Sequence, residues 1–463
     1  MSRRRSVSPR DHIAPEEKIS PAFKPYLAEL GANDKRDAIV IFKAPAPAAG
    51  PKVRGRLRLL KQRLDSIKTR ATAQQPVQAA VLEKYQKEGS RQLPGKKHLE
   101  AAPIGNNALP VATVEVTEKT LYMLAAKPEV LAILPNQKIH LIKPKQVDFS
   151  DLQRIEVRDK MTWGLKQLET PEIWATTKGA HINVAVLDTG VHGEHPALEG
   201  RVKDFIVIDP LGRRIKADPT FDCGMHGTHV CGTIAGGKTG AGVSIGVAPE
   251  ASLYVAGVLI GDSTLQTLFE GISWAVEKGV DIISMSLGFS YYEPLFAEVF
   301  RMLIEQYGIL PVVAIGNEYH GNTSSPGSSY NALSVGAVEK MPRNKTSVAE
   351  FSSGASLDFP GTQPDRVTKP DVVAPGVQVF SCVPPQREPD RTYEYSYFDG
   401  TSMATPHVAG CAALLMAAKP TAPVTAIVEA LKETAKHPLG NNFRPDNRWG
   451  YGLVQPVEAL KAL

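Results

Sequence analysis

Beyond about residue 160 the chain alternates short, continuous apolar runs with stretches of helical period. The runs are Ile182 to Leu187, Ser252 to Ala256, Asp281 to Ser286, Leu310 to Ala314 and Leu333 to Val338. Five or six apolar residues without polar alternation predict a strand buried on both faces, and strands alternating with helices predict a parallel sheet covered on both sides. Helices are predicted to start near His226, Thr264, Pro294 and Thr401. In such α/β sheets functional groups gather at the carboxyl ends of the strands.

The first third of the chain reads differently. Residues 1–36 are charged and punctuated by proline, with one short helical pattern from Ala22 to Leu30, and read as a mobile leader. A strand follows at Ala38 to Phe42, then the stiff Ala/Pro stretch 44–51 and a basic helical pattern to about residue 70. Order returns with a strand at Ala112 to Val116 and a helix opened by Thr117. Thr117 suits an N-cap, and Leu121, Leu124 and Ala125 give the helix an apolar face. Two extended stretches, Val130 to Leu134 and Lys138 to Ile142, complete a small α+β unit. The division is thus a leader (1–36), an α+β domain (37–145) with a basic insertion at about 44–110, a linker (146–160) and a large α/β domain (161–463).

Composition adds limits. With 463 residues, 43% hydrophobic and 22% charged, the chain is that of a globular protein with material for a large core. The net charge of +5 is mild, but residues 52–97 carry thirteen Lys or Arg against three Asp or Glu. A solvated insertion explains such a run better than an anionic partner, so no nucleic acid is expected. Met1-Ser2-Arg3-Arg4-Arg5 is not followed by the apolar stretch of a signal peptide, and no run of about twenty apolar residues could span a membrane. The expectation is a chain made in the cytoplasm, with any export by a non-classical route. Cys223, Cys231, Cys382 and Cys411 lack paired metal-ligand spacing, so reduced thiols are expected.

Four motifs carry chemistry. Val184 to Gly190 is an apolar strand ending in Asp188; a carboxylate there either caps a turn or serves a site. His226-Gly227-Thr228-His229 puts a histidine at a helix start among small residues, fit for alignment between an acid and a nucleophile, or with His229 for a metal. Gly400-Thr401-Ser402 opens an apolar helix, where free N–H groups and the positive dipole end favour developing negative charge; a plain N-cap serine would look the same. Val313 to Glu318 ends a strand with Asn317, either an Asx turn or a donor to an oxyanion.

Together these motifs resemble the subtilisin-like serine proteases, whose chain order of Asp, His and Ser is matched by Asp188, His226 and Ser402. The likeness extends over about residues 160–463, through Trp163-Gly164-Leu165, Phe351-Ser352-Ser353, Val373-Ala374-Pro375-Gly376 and Gly450-Tyr451-Gly452-Leu453. It implies a serine endopeptidase in which Ser402 attacks, His226 carries the proton, Asp188 orients the imidazole and Asn317 helps hold the oxyanion. Ser286, Leu287 and Gly288 would pair with substrate backbone opposite the segment Gly261 to Ser263. Ala314, Ile315, Gly316 and the turn at Gly327 would line an apolar, uncharged pocket for the residue before the cut, giving a preference for hydrophobic or large neutral residues there. The N-terminal domain resembles the family's ferredoxin-like propeptide, which implies an intramolecular inhibitor removed by self-cleavage between 140 and 160.

The resemblance implies no required cofactor. The family's tight calcium site falls here on Ala197 and on Gly240 or Ala241, which lack the ligands, while a weak calcium site elsewhere stays open. A monomer acting on protein or peptide substrates is the expectation. The rival readings are a peptide ligase or macrocyclase on the same fold and an inactive peptide-binding scaffold; all four site residues are present, against the scaffold, and no large cover for the leaving-group side is visible, against the ligase.

Overall fold

The computed structural model describes residues 13–28, 31, 34–44, 56–94, 98–147, 150–289, 291–359, 365–388 and 391–463. The start of the leader and the Ala/Pro stretch at 45–51 lie outside the described residues. Contacts divide the chain into two compact units, residues 1–45 with 70–136, and 46–69 with 137–463.

The first unit is an antiparallel sheet backed by helices. Its elements are α1 (Phe23–Ala28), β1 (Arg36–Phe42), the latter part of α2 (Arg56–Ser90), β2 (Ala101–Pro103), β3 (Val111–Val116), α3 (Glu118–Ala125) and β4 (Val130–Pro135). The strand order is β2-β3-β1-β4, with Val40 opposite both Ala112 and Ile133. Thr117 caps α3 as its sequence predicts, in a reciprocal box with Thr120. The basic helix does not stop near residue 70; it runs on to Ser90 because Val81, Leu82 and Tyr85 bury themselves in the core of this unit.

The second unit holds the first part of α2 and then two short strands, β5 (His140–Leu141) and β6 (Lys145–Val147), followed by α4 (Ser150–Asp159), α5 (Trp163–Gln167) and α6 (Thr170–Trp174). The stretch expected to be a linker is thus a strand and a helix. The sheet elements follow: β7 (Asn183–Asp188), β8 (Val202–Ile208), β9 (Arg214–Ile215), α7 (His226–Ala235), β10 (Ser252–Gly257), α8 (Leu265–Glu277), β11 (Ile282–Met285), β12 (Leu287–Gly288), α9 (Ala297–Met302) and β13 (Leu310–Ala314). The remainder is β14 (Leu333–Met341), β15 (Lys345–Val348), β16 (Ala355–Asp358), β17 (Arg366–Lys369), β18 (Val372–Pro375), β19 (Val379–Glu388), β20 (Arg391–Asp399), α10 (Thr401–Ala418), α11 (Val424–Glu433) and α12 (Pro456–Ala462).

Nine of these strands form one sheet in the order β15-β14-β13-β11-β7-β10-β8-β9, with β18 also on β14. All neighbours are parallel except the edge pairs β14–β15 and β8–β9. Every residue of β7 is buried, and α10 is buried on nearly all sides, so the middle of the sheet and this helix form the core. Strands β7, β11 and β13 therefore end side by side, and the starts of α7 and α10 meet them.

Candidate active site

Asp188 ends β7 and is fully buried; His226 begins α7 and is 3% exposed. The carboxylate Oδ1 lies 2.7 Å from Nδ1 of His226. That bond fixes the tautomer: Nδ1–H donates to the carboxylate, leaving Nε2 as the acceptor. Two glycines permit the approach. A side chain on Gly227 would overlap the carbonyl of Gly190, and Gly190 itself has φ +121°, where a Cβ is disfavoured.

Sequence reading missed the support beneath this pair. Met225 makes no side-chain cap for α7. Instead Asp222 Oδ2 accepts from Thr228 N at 2.8 Å and Thr228 Oγ1 at 2.6 Å, while Thr189 Oγ1 donates to Asp222 Oδ1 at 2.6 Å and accepts from Gly227 N at 3.0 Å. Thr189 N also donates to Asp188 Oδ1, at 2.7 Å. A second carboxylate thus anchors the helix N-terminus that carries His226.

His229 has no part in a metal pair with His226. Its Nε2 meets the carbonyls of Val379 and Ser396 at 3.0 and 3.2 Å, its ring stacks on Phe398, and burial pulls its pKa down to about 3. His407 bonds the Met403 carbonyl, and burial lowers it to about 4. Among the described residues no three His, Cys, Asp or Glu side chains gather as a metal cage.

Ser402 lies in the first turn of α10, fully buried. Asn317 stands beyond β13, and its amide is oriented by Thr401, whose N and Oγ1 both donate to Oδ1, at 2.9 and 2.8 Å. Nδ2 is thereby turned outward. It donates to the carbonyl of Lys143 at 3.1 Å.

Residues 138–147 cross this site as an added strand. Leu141 pairs with Leu287 and His140 with Gly288, antiparallel, and Ile142 N donates to Ser286 O at 3.4 Å. On the other side Ile139 N donates to Ser263 O at 3.1 Å and Lys138 bridges Thr264, while Gly261 O accepts from Ser263 N at 3.0 Å and so serves the turn beside the strand. Beyond the serine, β6 pairs with Tyr397, Phe398 and Asp399 of β20. The hydroxyl of Ser402 donates to Ile142 O at 2.8 Å, and His226 Nε2 has no hydrogen-bond partner among the described residues. The Ser402 hydroxyl and the Asn317 amide thus meet two successive carbonyl oxygens, those of Ile142 and Lys143, so neither carbonyl of this strand carries both groups at once.

Ala314, Ile315, Gly316 and Gly327 are buried around the turn where Ser324 N meets Ile315 O. The expectation of an uncharged surround needs correction. The Glu318 carboxylate, held by Ser324 and Ser353 hydroxyls at 3.0 Å each, sits where a side chain on Gly316 would point.

The comparisons with known proteins agree with this geometry. Residues 179–452 match the model of the subtilase family, well over half of the chain. The chain belongs to the subtilase family. Subtilisin E of Bacillus subtilis strain 168 is 34% identical over 316 residues, 66% of this chain and 73% of that protein. The intracellular serine protease of Paenibacillus polymyxa is 36% identical over 291 residues, 60% of this chain and 78% of that protein. Among solved structures, fervidolysin from Fervidobacterium pennivorans, a keratinolytic enzyme related to subtilisin, superposes with a TM-score of 0.66 at 26% identity; the match covers 93% of this subtilase and 61% of the fervidolysin chain. This subtilase is a serine endopeptidase with the subtilisin-like α/β fold, and its family needs no essential cofactor. No described helix is long and apolar enough to cross a membrane.

Proposed function

We propose that Ser402 is the nucleophile of this endopeptidase, His226 its general base and acid, Asp188 the group that orients and stabilises the imidazolium, and Asn317 with the Ser402 N–H the oxyanion donors. The observation that carries the reading is a segment of peptide chain lying as a strand across Ser402, between the Ser263 and Ser286 backbones. Once that segment leaves, the Ser402 hydroxyl is free to turn to His226 Nε2. Attack on a scissile carbonyl passes the hydroxyl proton to Nε2, and the oxygen gains charge beside Asn317 Nδ2. Collapse returns the proton to the leaving amine and leaves an acyl ester on Ser402, which water then cleaves by the same route.

Residues 138–147 act in this reading as the inhibitor of their own enzyme, and the N-terminal unit as its propeptide. Ile142 occupies the place before the serine and is 5% exposed, which supports a preference for hydrophobic or large neutral residues there. The four free cysteines and the name of the Paenibacillus polymyxa relative support residence inside the cell. A fluorophosphonate should label the processed wild type and not Ser402→Ala, and the N-terminus of the wild type should begin after residue 140. Equal labelling of both proteins would overturn the assignment of the nucleophile.

A further inference from the structure

The basic insertion is the largest feature the chemistry leaves unused. Its helix α2 carries Leu60, Arg63, Leu64 and Ile67 at a spacing of three and four, a stripe along one face. That stripe is not solvated. Ile67 is buried, and Leu60, Arg63 and Leu64 are half-buried.

Arg63 lies over the end of α8. Its Nη1 donates to Val280 O at 2.9 Å, to Gly279 O at 3.4 Å and to Asp281 Oδ1 at 2.7 Å. The two carbonyls follow the C-terminus of α8, where the helix dipole favours a cation. Asp281 is 1% exposed and its other oxygen accepts from Asn183 N at 2.9 Å, so this carboxylate belongs to the frame between β7 and β11. Gly279 has φ +67°, and a side chain there would meet Leu64 Cδ2 at 2.7 Å and Leu60 Cδ1 at 3.3 Å. The glycine leaves the seat in which the leucines rest.

A charged helix held only by solvent would not place one guanidinium on three oxygens. We infer that residues 60–67 are a clasp, a second foothold by which the chain ahead of the cleft grips the peptidase unit at a place separate from Ser402. The inference rests on the reading of residues 138–147 as a built-in inhibitor. Between the footholds lie residues 70–136, which with residues 1–45 form a compact unit rather than a slack loop. Two attachments joined by a folded piece reinforce each other through effective concentration, so losing one weakens the other by about tenfold or more.

Amide hydrogen exchange in full-length Ser402→Ala, which cannot cut itself, tests this. The expected result is that adding Arg63→Ala and Leu64→Ala speeds exchange at the Ile139 and Ile142 amides about tenfold or more, while the amides of β7 keep their protection and Arg63→Lys gives a smaller effect. Unchanged protection at Ile139 and Ile142 would overturn the clasp and leave the cleft reading standing. Exchange at those two amides already unprotected in Ser402→Ala would overturn both. Should the double variant lose protection throughout β7, Arg63→Gln alone decides by the same readout.

Discussion

Replacing Ile142 by alanine measures how firmly the cleft is closed. The side chain is 5% exposed, so nearly all of its apolar surface is withdrawn from water when the strand is seated. Alanine lacks three of its carbons, and at about 0.8 kcal/mol per buried methylene the seated state loses about 2.4 kcal/mol. One factor of ten corresponds to about 1.4 kcal/mol, so the open fraction rises about 50-fold. Backbone bonds to Ser286, Leu287 and Gly288 do not depend on the side chain and remain. The assay is the initial rate of chromogenic peptide hydrolysis by freshly purified full-length protein, normalised to the rate after complete processing. Ile142→Ala should begin far faster and show a shorter lag, whereas Ile142→Leu, of equal volume, should stay within a few-fold of wild type. Equal initial rates and lags for wild type and Ile142→Ala would refute the reasoning.

Thr401→Val removes the hydroxyl bond to Asn317 Oδ1 and keeps the backbone one; kcat should fall about five- to tenfold with KM little changed, read by steady-state kinetics of the processed enzyme. Glu156 is buried on α4, accepting from Trp163 N and bonded to Tyr397, and desolvation raises its pKa to about 7 against 4.5 in the open chain. The folded state then binds the extra proton, so stability of Ser402→Ala should fall as pH rises from about 4.5 to 7, by about 3 kcal/mol at most, and Glu156→Gln should flatten that slope in denaturant melts. Lys369 is wholly buried, its ammonium bonded to Asp371 Oδ2 at 2.6 Å and Ala332 O at 2.9 Å; in the Ser402→Ala background, Lys369→Ala should cost about 3–5 kcal/mol of unfolding free energy, by the same melts.

The central strands were legible because both of their faces are covered. An apolar run needs no alternation there, and the predicted Ile182 to Leu187 differs from β7 by one residue at each end. Helix α4 was not legible, since its sequence is charged and it buries, beside Leu152, the carboxyl of Glu156, which no hydropathy pattern turns inward. Strands β19 and β20 were missed because polar residues interrupt both. At the site, each of the four motifs is local, so Asp188, His226, Asn317 and Ser402 could be named from their neighbours. Asp222 could not, because its link to Thr189 and Thr228 exists only after folding brings a loop beneath two strand and helix ends. The extended character of Lys138 to Ile142 was visible, but the place of that strand depends on backbone partners more than a hundred residues away.

The pairing of β6 with β20 carries a consequence for the freed enzyme. In the reading of residues 138–147 as an inhibitor that leaves, loss of Lys145–Val147 would strip the backbone of Tyr397 to Asp399 of its neighbour and make it an open border of a twisted ribbon, with donors and acceptors facing water. Any extended polypeptide that docks there regains those bonds whatever its side chains. The downstream half of a target would thus be gripped by its main chain, and the cut piece could linger after the bond is broken, setting how soon the next molecule enters.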